Sequence, residues 1–238
     1  MKFYRRLQPI TALSFDLDDT LYSNRPIMLN AENKMLAYFS EHFPQTAAQG
    51  EQACRQYWRG FRRQALHEQP QLVHDVTALR LHNYTLAIKA LGYTNSQAQS
   101  KAQAAFKHFT HHRSDFTLPK ASQHLLEKLA VKFPLIAITN GNVNFEKLGL
   151  TSLFQYIYNP GNGIKRKPDN AMFNRACQQL QIKPIQLLHV GDCGSSDILG
   201  ALQAGCQAAW LNRYTVGKPI SVLPQIELST LDNLLFLL

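Results

Sequence analysis

Four short segments of this 238-residue chain gather the side chains best suited to chemistry. They are Asp16-Leu17-Asp18-Asp19-Thr20, Thr139-Asn140-Gly141-Asn142, Lys165-Arg166-Lys167-Pro168 and Gly191-Asp192-Cys193-Gly194-Ser195-Ser196-Asp197. A carboxylate such as Asp16 can attack a phosphoryl group and carry it as an aspartyl phosphate, dividing one hard hydrolysis into two easier steps. Two anions repel, so the attack calls for a hard cation between them. Mg²⁺ fits, because it binds through one or two carboxylates plus a substrate phosphate. Asp16 and Asp192 are the candidates to supply those carboxylates. Asp18, two residues on, could give a proton to the leaving oxygen and then activate water, help worth about 10²–10⁴ in rate. Thr139 offers a hydroxyl, and the amides after it open a turn able to hold phosphate oxygens. Lys167 is a cation for the developing negative charge, favoured over Lys165 and Arg166 by the proline that follows it.

Each segment taken alone has a plainer reading. Asp-x-Asp-x-Thr could be a turn whose carboxylates cap backbone amides, and Thr-Asn-Gly an ordinary turn. Lysines before helices are common, and Gly-Asp can start one. What raises the four above this level is where they fall. Residues 11–15, 135–138, 154–158, 187–190 and 208–211 read as strands, mostly short apolar runs. From 114 on, helices at about 120–132, 170–180 and 197–204 alternate with them, which predicts a parallel sheet with helices on both faces. In such α/β sheets ligands sit beyond the carboxyl ends of the strands. The four clusters all follow strands, the third after a loop.

Between the first strand and its fellows lies a long helical stretch. Pro26 suits a first helical position, and helices follow at about 47–67, 76–91 and 96–112. Cys54, Trp58, Phe61 and Ala65 recur at helical spacing and predict a buried stripe. The expected organisation is an α/β Rossmann-like core domain (1–23 and 114–238) interrupted by an all-helical domain (24–113).

In order and spacing the clusters resemble the four motifs of the haloacid dehalogenase-like hydrolase superfamily, and the match spans nearly the whole chain. The resemblance implies Asp16 as nucleophile and Asp18 as general acid/base, with metal bound by Asp16, Asp192 and the Asp18 backbone carbonyl. It implies phosphate binding by Thr139, with Asn140 beside it, and by Lys167, and a supporting role for Asp197 toward the metal's water or Lys167. The helical insertion resembles that family's first type of cap, which closes over the core and excludes water. Cys193 departs from the pattern, since relatives often carry another acid there. Dehalogenases of the superfamily need neither metal nor a leaving-group acid and lack the second aspartate, so Asp18 points to phosphatase chemistry. Sugar-phosphate mutase activity, broad sugar-phosphate or nucleotide specificity, and non-catalytic phosphate binding remain the alternatives.

The substrate signal is finer. Leu21 to Pro26 and His74-Asp75-Val76-Thr77, with Arg80 after them, are similar to a bacterial subgroup that dephosphorylates flavin mononucleotide and the ribitylaminouracil phosphate of riboflavin synthesis. Thr77 and Arg80 are therefore candidates for cap specificity, although Asp75 could equally cap a helix. The expected partner is a small phosphate monoester. The net charge of +9 is spread, with 11 Lys/Arg against 6 Asp/Glu in residues 24–115 and 14 against 10 elsewhere. It would draw in anionic substrates, and no nucleic-acid recognition motif accompanies it. Four cysteines without metal or redox spacing, a poor leader sequence and no apolar run near the ~20 residues of a membrane span predict a cytoplasmic protein. Nothing in the sequence indicates an oligomeric state.

Overall fold

The computed structural model describes residues 1–213 and 222–238. The chain divides into two units. One comprises 1–24, 117–141 and 145–238, the other 25–116 and 142–144.

The first unit is built on a seven-stranded sheet. Its strands are β1 (Lys2–Phe3), β2 (Ala12–Phe15), β3 (Leu135–Ile138), β4 (Tyr156–Tyr158), β5 (Leu187–Gly191), β6 (Gln207–Leu211) and β7 (Ile226–Leu228), in the order β1-β7-β6-β5-β2-β3-β4. Every neighbouring pair is parallel except β1 with β7, so the sheet is mixed and not purely parallel as expected. The strands β2, β3 and β5 are buried along their whole length. A strand covered on both faces has no polar side to show, which is why these segments read as continuous apolar runs. The register Phe15 to Ala137 and Phe15 to Val190 brings the ends of three adjacent strands level. From β2 the chain runs outward through β3 to β4 on one side, then crosses back to β5 on the other side of β2. A crevice at such a switch of strand order is where α/β sheets bind ligands.

The second unit is helical. It holds most of α1 (Asn24–His42), then α2 (Glu51–Gly60), α3 (Arg62–Glu68), α4 (Val76–Ala90) and α5 (Asn95–Arg113). The helix expected over 47–67 is thus two helices meeting at Phe61. The predicted stripe survives the break, because Cys54, Trp58 and Ala65 are all buried. Asp75 caps α4 by accepting from the amides of Thr77 and Ala78, and Thr94 with Gln97 forms a capping box at α5. Phe39 stacks on Trp58 at 3.7 Å between ring centroids, with Tyr84 edge-on to Phe39 at 5.4 Å. Ala98, Ala102 and Ala105 of α5 are buried in the same core.

The remaining helices, α6 (Lys120–Ala130), α7 (Leu150–Leu153), α8 (Ala171–Leu180) and α9 (Leu199–Gln203), belong to the sheet unit. The side chains of Met172, Phe173 and Ala176 on α8 and Ala201 on α9 pack with Ile136, Ile138 and Leu187 in one core. On α6, Leu125, Leu126 and Leu129 are buried. The short α7 ends at Leu153, just before the run expected as a strand from 154, and the strand itself begins only at Tyr156.

Candidate active site

The ends of β2, β3 and β5 converge on Lys167. Its ammonium lies 2.8 Å from Asp16 Oδ1 and 2.6 Å from Asp197 Oδ1, and it also donates to the carbonyl of Ile138 at the end of β3. With a side chain only 1% exposed, the cation is held by three oxygens and almost no water. Burial works against its charge, but Asp16 and Asp197 outweigh burial and hold the ammonium above its ordinary pKa. Asn140 fixes the backbone behind it. Its Oδ1 accepts from the Lys167 amide at 2.8 Å, and its Nδ2 donates to the Lys167 carbonyl at 3.1 Å. Asn140 thus grips the lysine's main chain.

Asp197 is reached through a widened helical turn, Gly194–Ile198, in which the amide of Ile198 bonds back to the carbonyl of Cys193, five residues earlier. Such turns often aim a functional side chain. The carboxylate also accepts from the Cys193 amide at 2.9 Å. It packs so tightly against Gly191 that a Cβ there would come 2.3 Å from its carboxyl carbon. Glycine is the residue that fits. Burial opposes ionisation of Asp197, but Lys167 and the His189 hydrogen bond outweigh burial and hold its carboxyl well below the usual range.

Behind Asp197 lies a pair that sequence reasoning missed. His189 Nε2 is 3.3 Å from Asp197 Oδ1, and its Nδ1 is 2.9 Å from Ser14 Oγ. Burial pushes the imidazole down to about 4, so it is neutral near pH 7. An ionised Asp197 can only accept, so Nε2 carries the proton and Ser14 donates to Nδ1. Only the type of residue, a histidine within the apolar run of β5, hinted at this in the sequence.

Asp192 follows β5 directly. Its Oδ1 accepts from Thr20 Oγ1 at 3.2 Å, and its carbonyl accepts from Trp210 Nε1 at 2.8 Å. Asp16, Asp192 and Asp197 each bring an oxygen within 4.8 Å of the others. Burial lifts the Asp16 carboxyl to about 7 despite Lys167, with Asp197 adding to the rise. Burial lifts Asp192 to about 8, reinforced by Asp197 and Asp16. Two carboxylates that resist ionisation because they are buried together, with one lysine between three acids, are a donor set short of positive charge. A hard divalent cation supplies it. Both Asp16 and Asp197 meet Lys167, but Asp197 is further engaged on both oxygens by His189 and the Cys193 amide, which leaves Asp16 and Asp192 with more free oxygen lone pairs for such an ion.

Thr139 is buried, and its Oγ1 accepts from the Gly141 amide at 3.0 Å. A Cβ on Gly141 would lie 2.6 Å from Asp18 Oδ2 and 3.3 Å from Thr139 Oγ1. Bare backbone here is what lets the Asp18 carboxylate approach the Thr139 turn, so Gly141 belongs to the site although its sequence signal was only that of a turn. Asp16, Asp18, Thr139, Asn140, Lys167, Asp192 and Asp197 all fall in the sheet unit. Thr77 and Arg80 are on α4, in the helical unit. Thr77 Oγ1 accepts from Asn142 Nδ2 at 3.1 Å. Arg80 lies 3.7 Å over the Phe109 ring and donates to the Tyr84 hydroxyl.

Comparison with known proteins agrees with this geometry. The family model for haloacid dehalogenase-like hydrolases matches residues 10–205. The chain is 36% identical to 5-amino-6-(5-phospho-D-ribitylamino)uracil phosphatase YigB of Escherichia coli (strain K12), over 98% of each chain. In structure it is similar to a 2-haloacid dehalogenase from Pseudomonas syringae pv. Tomato DC3000, with a TM-score of 0.86 and 32% identity, covering 95% of this chain and 97% of that one. The fold is shared with the HAD-hydrolase YfnB of Bacillus subtilis, with a TM-score of 0.66 and 19% identity, covering 97% and 99%. The chain belongs to the haloacid dehalogenase-like hydrolase family. Its extended identity to a phosphatase of that family makes it a phosphatase of the type that acts through an aspartate nucleophile.

Proposed function

We propose that this protein is a magnesium-dependent phosphate monoester hydrolase in which Asp16 is the nucleophile. The observation that carries this reading is the convergence of Asp16, Asp192 and Asp197 beyond the adjacent strands β2 and β5, with the buried Lys167 paired to Asp16 and Asp197. An oxygen of Asp16 forms a bond to phosphorus, and the bond from phosphorus to the leaving oxygen breaks. Asp18 gives its proton to that oxygen, so an alcohol departs instead of an alkoxide. In the second step Asp18 takes a proton from water, the water oxygen bonds to phosphorus, and the Asp16–phosphorus bond breaks. Inorganic phosphate leaves and both carboxyls return to their starting states. Lys167 and Thr139 bind the phosphoryl oxygens, and Asn140 keeps Lys167 in place. Asp16 and Asp192, with the Asp18 backbone carbonyl, would hold Mg²⁺, which when bound offsets the charge between nucleophile and phosphate. Asp197 positions Lys167, and the neutral His189 positions Asp197.

The substrate class follows from the helical unit and from the relatives. We assign the activity to 5-amino-6-(5-phospho-D-ribitylamino)uracil or flavin mononucleotide, each a phosphate on a ribityl chain that ends in a flat ring. The 36% identity to the Escherichia coli phosphatase supports this, as do the segments Leu21–Pro26 and His74–Arg80. No helix among the described residues is long and apolar enough to cross a membrane, and all four cysteines are free thiols. Both facts support a cytoplasmic small-molecule enzyme. The test is a magnesium-supplemented comparison of kcat/KM across phosphate monoesters. The two ribityl phosphates must exceed simple sugar phosphates by at least about tenfold, or ~1.4 kcal/mol in transition-state binding. Equal turnover of all would reject the substrate and leave a phosphatase of broad specificity.

A further inference from the structure

The helical unit contains a cavity of about 410 Å³ lined by residues of α1, α2, α3 and α4. That volume is ample for a ring-sized molecule, and pockets of a few hundred cubic ångströms are the usual size for small ligands. All of its lining residues lie within 25–116, so it is a feature of this unit by itself.

Its walls are sharply divided in character. One part is aromatic and aliphatic, where the stacked pair Phe39 and Trp58 meets Met35 and Leu79. The rest carries four arginines, Arg55, Arg59, Arg62 and Arg80, against a single acid, Glu32. Glu32 is taken up by Arg59 at 2.7 Å and by Arg55 at 3.9 Å, and Arg55 is further paired with Glu51. Arg62 and Arg80 have no carboxylate partner among the described residues. Arg80 is instead propped between the Phe109 ring and the Tyr84 hydroxyl, which orders a guanidinium without neutralising it.

An apolar shelf beside two unneutralised guanidinium groups matches a molecule with a flat apolar body and a negative head. We infer that this cavity, lined wholly by the helical unit, is a binding site in its own right for a small aromatic anion. The ring lies against Trp58 and Phe39, and the anionic group meets Arg62 and Arg80, whose planar forks suit oxyanions. The inference does not depend on the substrate proposed above.

Naphthalene-2-sulfonate, which has such a body and no hydrolysable bond, is the probe. Isothermal titration of the full chain should show one site binding it at least about tenfold more tightly than neutral methyl 2-naphthyl sulfone or ring-free methanesulfonate. Arg62→Glu, at an exposed position, should weaken binding by about tenfold or more while thermal unfolding stays near that of the parent, and Arg80→Gln should weaken it too. Filling the catalytic centre with magnesium and orthovanadate should leave the affinity within about twofold. The inference is overturned if the sulfonate binds no better than both controls, or if both variants bind as the parent does. It is equally overturned if magnesium with vanadate abolishes binding, since the probe would then be occupying the core site.

Discussion

Removing the buried cation tests whether the site is held together by charge. Lys167→Met keeps the length and apolar stem of the side chain but leaves Asp16 and Asp197, formerly 2.8 and 2.6 Å from Nζ, with no ammonium between them. Breaking a buried pair by deleting one partner costs about 3–5 kcal/mol, because the surviving charge stays desolvated. Here two carboxylates survive, although Asp16 can escape part of the cost by taking a proton. The upper end of that range therefore applies in alkaline solution. A chain of this size loses roughly 2–4 °C per kcal/mol, so metal-free Lys167→Met should melt about 10 °C or more below the parent near pH 8. The sign with pH is fixed. Without the lysine the folded-state pKa of Asp16, already above its unfolded value, rises further, and that of Asp197 rises from below its usual range. The variant then binds more protons folded than unfolded and regains stability as pH falls. Adding Asp197→Asn to Lys167→Met should recover part of the loss, which a double-mutant cycle measures as coupling. Urea and thermal unfolding in the presence of chelator read all of this. A loss below about 1 kcal/mol that does not change between about pH 5.5 and pH 8 would refute the reasoning.

Three further outcomes follow from the same geometry. Asp18→Asn should slow hydrolysis of alkyl phosphates by about 10²–10⁴ but hardly affect p-nitrophenyl phosphate in the phosphorylation step, and equal losses would remove its role as leaving-group acid. Gly141→Ala would set a Cβ 2.6 Å from Asp18 Oδ2. It should lower kcat by about tenfold or more at unchanged far-ultraviolet circular dichroism, and parent-like turnover would show that Asp18 does not need this approach. Because Asp192 titrates near 8 in the metal-free fold, well above a free carboxylate, that fold loses stability as pH rises through this range. Magnesium should therefore raise the melting temperature more at about pH 8.5 than at about pH 6, by some 2–3 kcal/mol of linkage, and chelation should abolish turnover; an equal or larger gain at the lower pH would contradict this.

The candidate site residues Asp16, Thr139 and Asp192 could be picked out because each directly follows a strand, where a buried apolar run gives way to polar residues with no packing task, whereas Lys167 and Asp197 come after a loop and a helical turn. The strands themselves were legible for the same reason, since β2, β3 and β5 are buried on both faces. What escaped notice had no local signal. β1 and β7 are two and three residues long and pair across almost the whole chain, so the antiparallel edge could not be read from either. The break at Phe61 left the buried spacing of Cys54, Trp58 and Ala65 undisturbed, and periodicity therefore ran straight through it. His189 and Ser14 lie inside apolar strands and read as core until their partners are known. Asp75, read either as part of a specificity segment or as a cap, does cap α4. Gly141 reveals its purpose only through the distance to Asp18.

The central claim is that the phosphoryl group passes through a covalent bond to one particular carboxylate. An aspartyl phosphate is reduced by borohydride to homoserine, whereas a free carboxylate is not. Protein quenched in borohydride during turnover of flavin mononucleotide with magnesium, then digested and mapped by mass spectrometry, should carry homoserine at position 16 and at no other aspartate. Asp16→Asn, folded as the parent by circular dichroism, should carry none and should not turn over. Homoserine at Asp18, Asp192 or Asp197, or unmodified Asp16 in an enzyme that is visibly turning over, would contradict the account.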